Sequence, residues 1–210
     1  MYILDESMAE LVGIIIGDGC ISCARNHYFV EIVGNPKDEG PFFDKIRDLT
    51  SKRIDKTPKI TVRSRGLRLK IYSKAFVQYL IHVLHLPHGK GKNLLVQIPE
   101  PIEKNWRLAK ACIRGIMDTD GSFFLARKGN NPHYPCLEIT TTSRVLANQL
   151  RRLLTINGFR ISTRVDARTP TPAFRIGIYG ANMAQKWNSE IGFSNNKNID
   201  KYRQYIETFK

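Results

Sequence analysis

The chain has 210 residues, 42% of them hydrophobic, and 33 Lys and Arg against 19 Asp and Glu give it a formal charge of +14. The charge favours a polyanionic partner, nucleic acid first, over a neutral or acidic one, and the apolar fraction supplies one large core or two units of roughly 100 residues. No segment approaches the roughly 18 continuous apolar residues of a spanning helix. The start Met1-Tyr-Ile-Leu-Asp-Glu lacks the basic and apolar regions of a secretory signal, so an intracellular location without a membrane partner is expected.

In chain order, a helix from about Ser7 to Gly17 comes first and ends at Asp18-Gly19, where the glycine is expected to take the left-handed conformation that stops a helix. A strand and turn lead to a second strand, Phe29 to Val33, and then to a helix with Phe42, Phe43, Ile46 and Leu49 at helical spacing. Strands Lys59 to Arg63 and Leu67 to Tyr72 follow, then a last helix from about Lys74 that ends before Lys90. Ile98-Pro-Glu-Pro-Ile102 is a proline-punctuated connection. Beyond it the order recurs: a helix from about Trp106 to Thr119, a strand pair ending in Leu137 to Thr141, and a helix with Leu146, Leu150, Leu153 and Leu154. Strands Ser162 to Asp166 and Phe174 to Tyr179 and a helix from about Ala181, ending before Lys197, complete it. The chain thus reads as an α+β protein of two αββαββα units, residues 1–97 and 105–210, joined by a linker over 98–104.

The recurrence extends to residues. Leu11-Val-Gly-Ile-Ile-Ile-Gly-Asp-Gly19 lies over Ile113-Arg-Gly-Ile-Met-Asp-Thr-Asp-Gly121 at an offset of 120 − 18 = 102. From Val30 to Lys90 the offset is 197 − 90 = 107, matching Val30-Glu-Ile32 to Leu137-Glu-Ile139 and Arg68-Leu-Lys-Ile-Tyr72 to Arg175-Ile-Gly-Ile-Tyr179. The second copy therefore carries five extra residues, expected in a hairpin loop near Arg127-Lys-Gly-Asn-Asn-Pro-His133. Duplication explains two such registers better than coincidence.

Gly13 and Gly17 in one first helix, and Gly115 and Thr119 in the other, place small residues four apart on one face, which lets two backbones pack closely. If the helices pack against each other, Asp18 and Asp120 meet at two carboxy-terminal ends, where the helix dipoles are negative. Two carboxylates there call for a cation, and with the carbonyls of Gly17 and Thr119 they suit Mg²⁺ or Mn²⁺. Such a cation can activate water against a phosphodiester. The bland alternative is that each Asp only shapes its turn. Asp118 has Ile16 as its counterpart and is expected to pack or cap. Lys90 and Lys197, aligned after the last helices, could neutralise a phosphate or assist the attacking water, with an ordinary solvated lysine as the competing reading. Asn35 and Thr142, paired at strand ends, are candidates for positioning water. Cys20, Cys23, Cys112 and Cys136 include one C-x-x-C pair but no second pair or histidine spacing for zinc. They are read as reduced thiols.

The two nonapeptides, in this repeat and with a lysine after each last helix, resemble the signature motifs of the LAGLIDADG homing endonucleases, and the resemblance spans nearly the whole chain. It implies a saddle of two antiparallel sheets on the major groove, with the motif helices at the interface and Asp18 and Asp120 as metal-binding acids. It also implies a monomer that cleaves double-stranded DNA at a long, asymmetric site. Lys90 and Lys197 fall near the family's basic positions and Asn35 near a polar one. Ile16 stands where aspartate is common, which is not the ligand position. On the implied DNA face lie Arg25, Arg63, Arg65, Arg68 and Lys70 of the first copy, and Arg127, Lys128, Arg164, Arg168 and Arg175 of the second. An intron-RNA-binding maturase and a cleavage-inactive DNA-binding regulator of the same fold remain as alternatives. An intein endonuclease is less favoured, because the chain begins at the motif helix.

Overall fold

The structure is a computed structural model and describes residues 2–24, 27–54, 56–63, 66–168 and 170–208. Arg25 and Arg65 of the expected DNA face lie outside the described residues.

Helix α1 (Glu6–Gly17) starts at Asp5, whose side chain accepts from the Met8 N–H at 2.9 Å. Its residues from Met8 to Ile16 are all buried, as in a helix enclosed on every side. There follow β1 (Gly19–Ala24), β2 (His27–Gly34), α2 (Gly40–Ile54), β3 (Lys59–Arg63), β4 (Gly66–Tyr72) and α3 (Lys74–Gln78), which widens into a π turn at Tyr79–Val83. Short helices α4 (Lys92–Leu95) and α5 (Glu100–Glu103) occupy the connection. The second unit comprises α6 (Trp106–Asp120), β5 (Gly121–Lys128), β6 (Asn131–Thr141), α7 (Arg144–Ile156), β7 (Ile161–Asp166), β8 (Ala173–Tyr179) and α8 (Ala181–Glu190), and α9 (Asn196–Glu207) closes the chain. Among the described residues no helix is long and apolar enough to cross a membrane.

Each unit builds a four-stranded antiparallel sheet, in the orders β1-β2-β4-β3 and β5-β6-β8-β7. Alternation sorts the faces. Ile21, Val30, Ile32, Leu67, Leu69 and Ile71 are buried, while Ser22, Phe29, Glu31, Arg68 and Lys70 take the opposite parity and the open face. In the second sheet Phe123, Leu137, Ile139, Ile176 and Ile178 are buried. The five extra residues lie in the β5–β6 hairpin: Gly19 pairs with Ile32 (32 − 19 = 13) and Gly121 with Ile139 (139 − 121 = 18).

Two expectations need correction. Gly19 and Gly121 are not left-handed; among the described residues neither has positive φ, and Gly121 is extended at φ −111°, ψ 172°. Glycine is required there for space. A Cβ on Gly19 would lie 2.5 Å from the Ile15 Cα, and one on Gly121 2.4 Å from the Met117 sulfur, so each strand leaves directly beneath its helix. Helix α9 also went unforeseen. Its apolar face is mostly aromatic: Tyr202 and Tyr205 pack on Phe123 with ring centroids 5.5 and 5.9 Å apart.

Candidate active site at the helix interface

Helices α1 and α6 touch backbone to backbone. A Cβ on Gly13 would lie 2.0 Å from the carbonyl oxygen of Cys112, one on Gly115 2.4 Å from that of Glu10, and one on Gly17 2.0 Å from Thr119 Oγ1. The Thr119 hydroxyl is already spent on its own helix, donating to the Gly115 carbonyl at 2.9 Å. At the other end of the contact Arg114 donates to Glu10 at 2.5 Å and to the Ile191 carbonyl at 3.0 Å. The helix pair is therefore held in register along its length.

This packing brings Asp18, the residue that caps α1, beside Asp120, the last residue of α6. Burial pushes the Asp120 carboxyl up to about 7, and the charge of Asp18 adds to the rise. Asp18 is raised too, first by burial and then by Glu39, with Lys197 and Lys92 opposing. A small cleft beside Asp120 is lined by Ile16, Gly17, Lys92, Asn93, Val96 and Thr140 to Thr142.

The lysine at this cleft is Lys92. Burial lowers its pKa, against the pull of Cys20, Asp120 and Asp18, and its Nζ donates to the Gly19 carbonyl. Lys90 is exposed on the turn before it. The aligned register fails over the last few residues for an identifiable reason. His85 at φ +53° occupies the helix-ending position of Gly192 at φ +73°. From there the first unit takes seven residues to its lysine (92 − 85) and the second five (197 − 192). Two lysines two apart, Lys90-Gly-Lys92, were the available signal.

Lys197 reaches the site from the other side and is tied to Glu39, Nζ to Oε1 at 3.2 Å. Glu39, 7% exposed, was not singled out by the sequence. Its carboxylate also accepts from Asn195 Nδ2 at 3.0 Å and from the Asn35 N–H at 2.7 Å. The 107 offset puts Leu146 in its place in the second unit (39 + 107), so the two halves of the site are unlike. Asn35 supports Glu39 through its backbone, while its side chain accepts from the Lys37 N–H at 3.1 Å. Thr142 Oγ1 is exchanged with Asn93, accepting from Nδ2 at 3.0 Å and donating to the carbonyl at 3.1 Å. Thr142 thus lines the cleft, while the Asn35 side chain caps its own turn. Asp118 is fully buried and receives the Ser194 N–H at 2.5 Å and Asn198 Nδ2 at 3.2 Å, fastening the start of α9.

These carboxyls set a pH dependence. Asp118 and Asp120 titrate near 6 and 7 in the fold, against an ordinary value of 3.8. Between those values the native state holds protons that the unfolded chain has released, so stability is full below about 4 and falls as pH rises to about 7. Without divalent metal, the urea midpoint should be lower at about pH 8 than at about pH 5, and Asp120→Asn should narrow the gap.

The donor set fits a hard divalent cation. Two carboxylates, Asp18 exposed and Asp120 half-buried, share the negative ends of two helices, and among the described residues no group of three His, Cys, Asp or Glu gathers to complete a coordination shell. That leaves positions for waters and phosphate oxygens, as Mg²⁺ prefers.

On the open sheet faces, Arg68 lies 3.1 Å and Lys70 3.4 Å from Glu31 Oε1, and Lys70 also sits over the Phe29 ring. Arg63, Arg127, Lys128 and Arg164 are exposed. Arg168 and Arg175 both reach Asp166, at 2.5 and 3.4 Å, and the hydrogen bonds from Arg168, aided by the charge of Arg175, hold the Asp166 carboxyl well below the usual range.

Two repeated units, each a four-stranded sheet with a motif helix at the shared interface, make up the fold seen in LAGLIDADG proteins. A family model described as a LAGLIDADG-like domain matches residues 107–207. The matched segment is the second unit alone, and the first unit repeats its architecture. Mesophilic variants of the homing endonuclease I-DmoI superpose with a TM-score of 0.65 at 19% identity, over 90% of this chain and 96% of that one. I-DmoI in complex with DNA and Mn gives 0.63 at 20% identity, over 90% and 98%. Full-length DUF199/WhiA from Thermatoga maritima gives 0.61 at 14% identity, over 100% and 62%. At these identities the likeness is one of fold. Protein MJ0314 of Methanocaldococcus jannaschii is 25% identical over 151 residues, covering 67% of this chain. The chain spans about half the length of that curated relative.

Proposed function

We propose that this protein is a site-specific, metal-dependent endonuclease for double-stranded DNA, acting as a monomer of the intron-encoded type on a long asymmetric target. The observation that carries the reading is the meeting of Asp18 and Asp120, one from each unit, at the open end of the helix seam with Lys92 and Lys197 beside it. I-DmoI has been seen with DNA and Mn and with DNA and Ca, and a variant of it with its target DNA in 2 mM Mg, which supports a divalent ion in proteins of this fold.

In this reading Asp18 and Asp120 hold a divalent cation, Mg²⁺ or Mn²⁺, with the Gly17 and Thr119 carbonyls nearby. Once bound, it supplies positive charge against the scissile phosphate and acidifies a water. The chain's own residues do the rest. Lys92, with its ammonium anchored on the Gly19 carbonyl, places charge where the phosphorane oxygens develop. Lys197 does the same on the other strand, its position set by Glu39. The net charge of +14 draws the duplex onto the sheets.

The test is incubation of the protein with Mg²⁺ and a randomised duplex library, followed by sequencing of cut ends. Discrete double-strand breaks at one long site support the reading; intact DNA under conditions of tight duplex binding overturns it. Lys92→Met should slow cleavage about 10²-fold, whereas Lys90→Met should leave it within about 2-fold, the scale of a solvated surface lysine. The reverse ranking would return the role to Lys90.

A further inference from the structure

Acidic side chains on a face meant for polyphosphate weaken binding, so their presence there calls for a reason. Glu31 and Glu138 occupy the same place in the two units (138 − 31 = 107), as do Arg68 and Arg175 (175 − 68 = 107). In the first sheet Glu31 is opposite Lys70 in the ladder and takes Arg68 as well. The second sheet has Gly177 where Lys70 stands, and the Tyr179 ring lies over it to donate to Glu138; a Cβ on Gly177 would be 2.2 Å from the Tyr179 hydroxyl. Arg175 instead lies 3.4 Å from Asp166 on the neighbouring strand, a carboxylate that Arg168 also grips at 2.5 Å. Each unit thus gives the same arginine a carboxylate, by a different route.

Half-exposed ion pairs add little stability, but they restrict an arginine. A fork held in one direction has surrendered its rotamer freedom before DNA arrives and suits the bidentate contact with guanine O6 and N7 in the major groove. Arg63 and Arg164, exposed and without a carboxylate partner among the described residues, are free to follow phosphates. We infer that Glu31 and Asp166 are positioning residues for sequence reading, which hold Arg68 and Arg175 to contact one guanine in each half of the target. The inference rests on duplex DNA being the partner.

Binding selection from a randomised duplex library, without divalent metal so that no strand is cut, tests it together with a salt titration. Arg68→Ala should relax the preference for guanine at one position by about 5- to 150-fold. Glu31→Gln should relax the same position and at the same time tighten binding to random duplex, because a negative charge has left the face. A merely structural role for Glu31 would weaken all sequences alike. Asp166→Asn should act on the opposite half of the site. Arg63→Ala should weaken every sequence equally and lower the salt slope by about one. Glu31→Gln and Asp166→Asn variants that retain the wild-type base preferences overturn the assignment. A wild-type protein that binds no duplex overturns the endonuclease reading instead.

Discussion

Asp120→Asn is expected to reduce double-strand cleavage by about 10²- to 10³-fold or more, the scale on which loss of one charge-stabilising group acts, while duplex binding is kept. The amide preserves the size of the side chain, so the seam between α1 and α6 still closes. It also removes a carboxylate that burial and Asp18 both oppose, with a pKa near 7. The metal-free variant should therefore melt at a higher temperature than the parent at about pH 8, where the parent carboxyl is ionised. Cleavage lost, binding kept and stability gained together mark a group retained for chemistry. If Asp120 serves only to shape its turn, the variant cuts at the parental rate, and the mechanism falls. Asp18→Asn should behave alike, with a smaller stability gain, since Lys197 and Lys92 already relieve its charge.

Gly13→Ala should produce the largest loss of stability of any single methyl added to the chain. Its Cβ would fall 2.0 Å from the Cys112 oxygen and 2.8 Å from the carbonyl carbon, backbone atoms that cannot swing aside. The helices must part, at a cost of about 3 kcal/mol or more, which for a chain of this length is a fall in melting temperature of about 6–12 °C. Cleavage should decline further than unfolding explains, because separation of the helices also moves Asp18 from Asp120. Gly40→Ala, at the start of α2 with nothing within 4 Å of the added methyl, is the control, and should change stability by no more than about 1 kcal/mol. Equal melting of the two variants would mean that the interface is looser than its geometry.

The sequence carried the architecture because duplication wrote it twice. The matched glycines disclosed the helix pair, and the change of offset located the lengthened hairpin. The two acids that meet at the seam were legible for the same reason. What escaped was whatever the copies do not share. Glu39 has Leu146 as its counterpart, so a comparison of halves passes over it. Lys92 lies past a two-residue difference that follows the last helix, where an ungapped register selects Lys90. Helix α9 has few aliphatic residues and is held by Tyr202, Tyr205 and the buried polar group around Asp118, neither of which has a helical hydrophobic signature. The glycines after each acid were noticed for the wrong property: Gly19 and Gly121 supply room under a helix end, which no single-chain pattern distinguishes from a left-handed turn.

The path of the connection between the units bears on how such chains can be recombined. Asn93 is clipped to Thr142, the Val96 carbonyl accepts from Ser143 at 2.7 Å, and Gln149 brackets the backbone of Ile98 on both sides, at 2.8 and 3.1 Å. The segment is sequential property of the first half but physical property of the second. A hybrid chain that trades one half for that of a relative would thus inherit a mismatched lysine and a torn seam if spliced within residues 92–98. The workable crossover lies beyond Ile98, and the donor half must bring residues able to accept that strap.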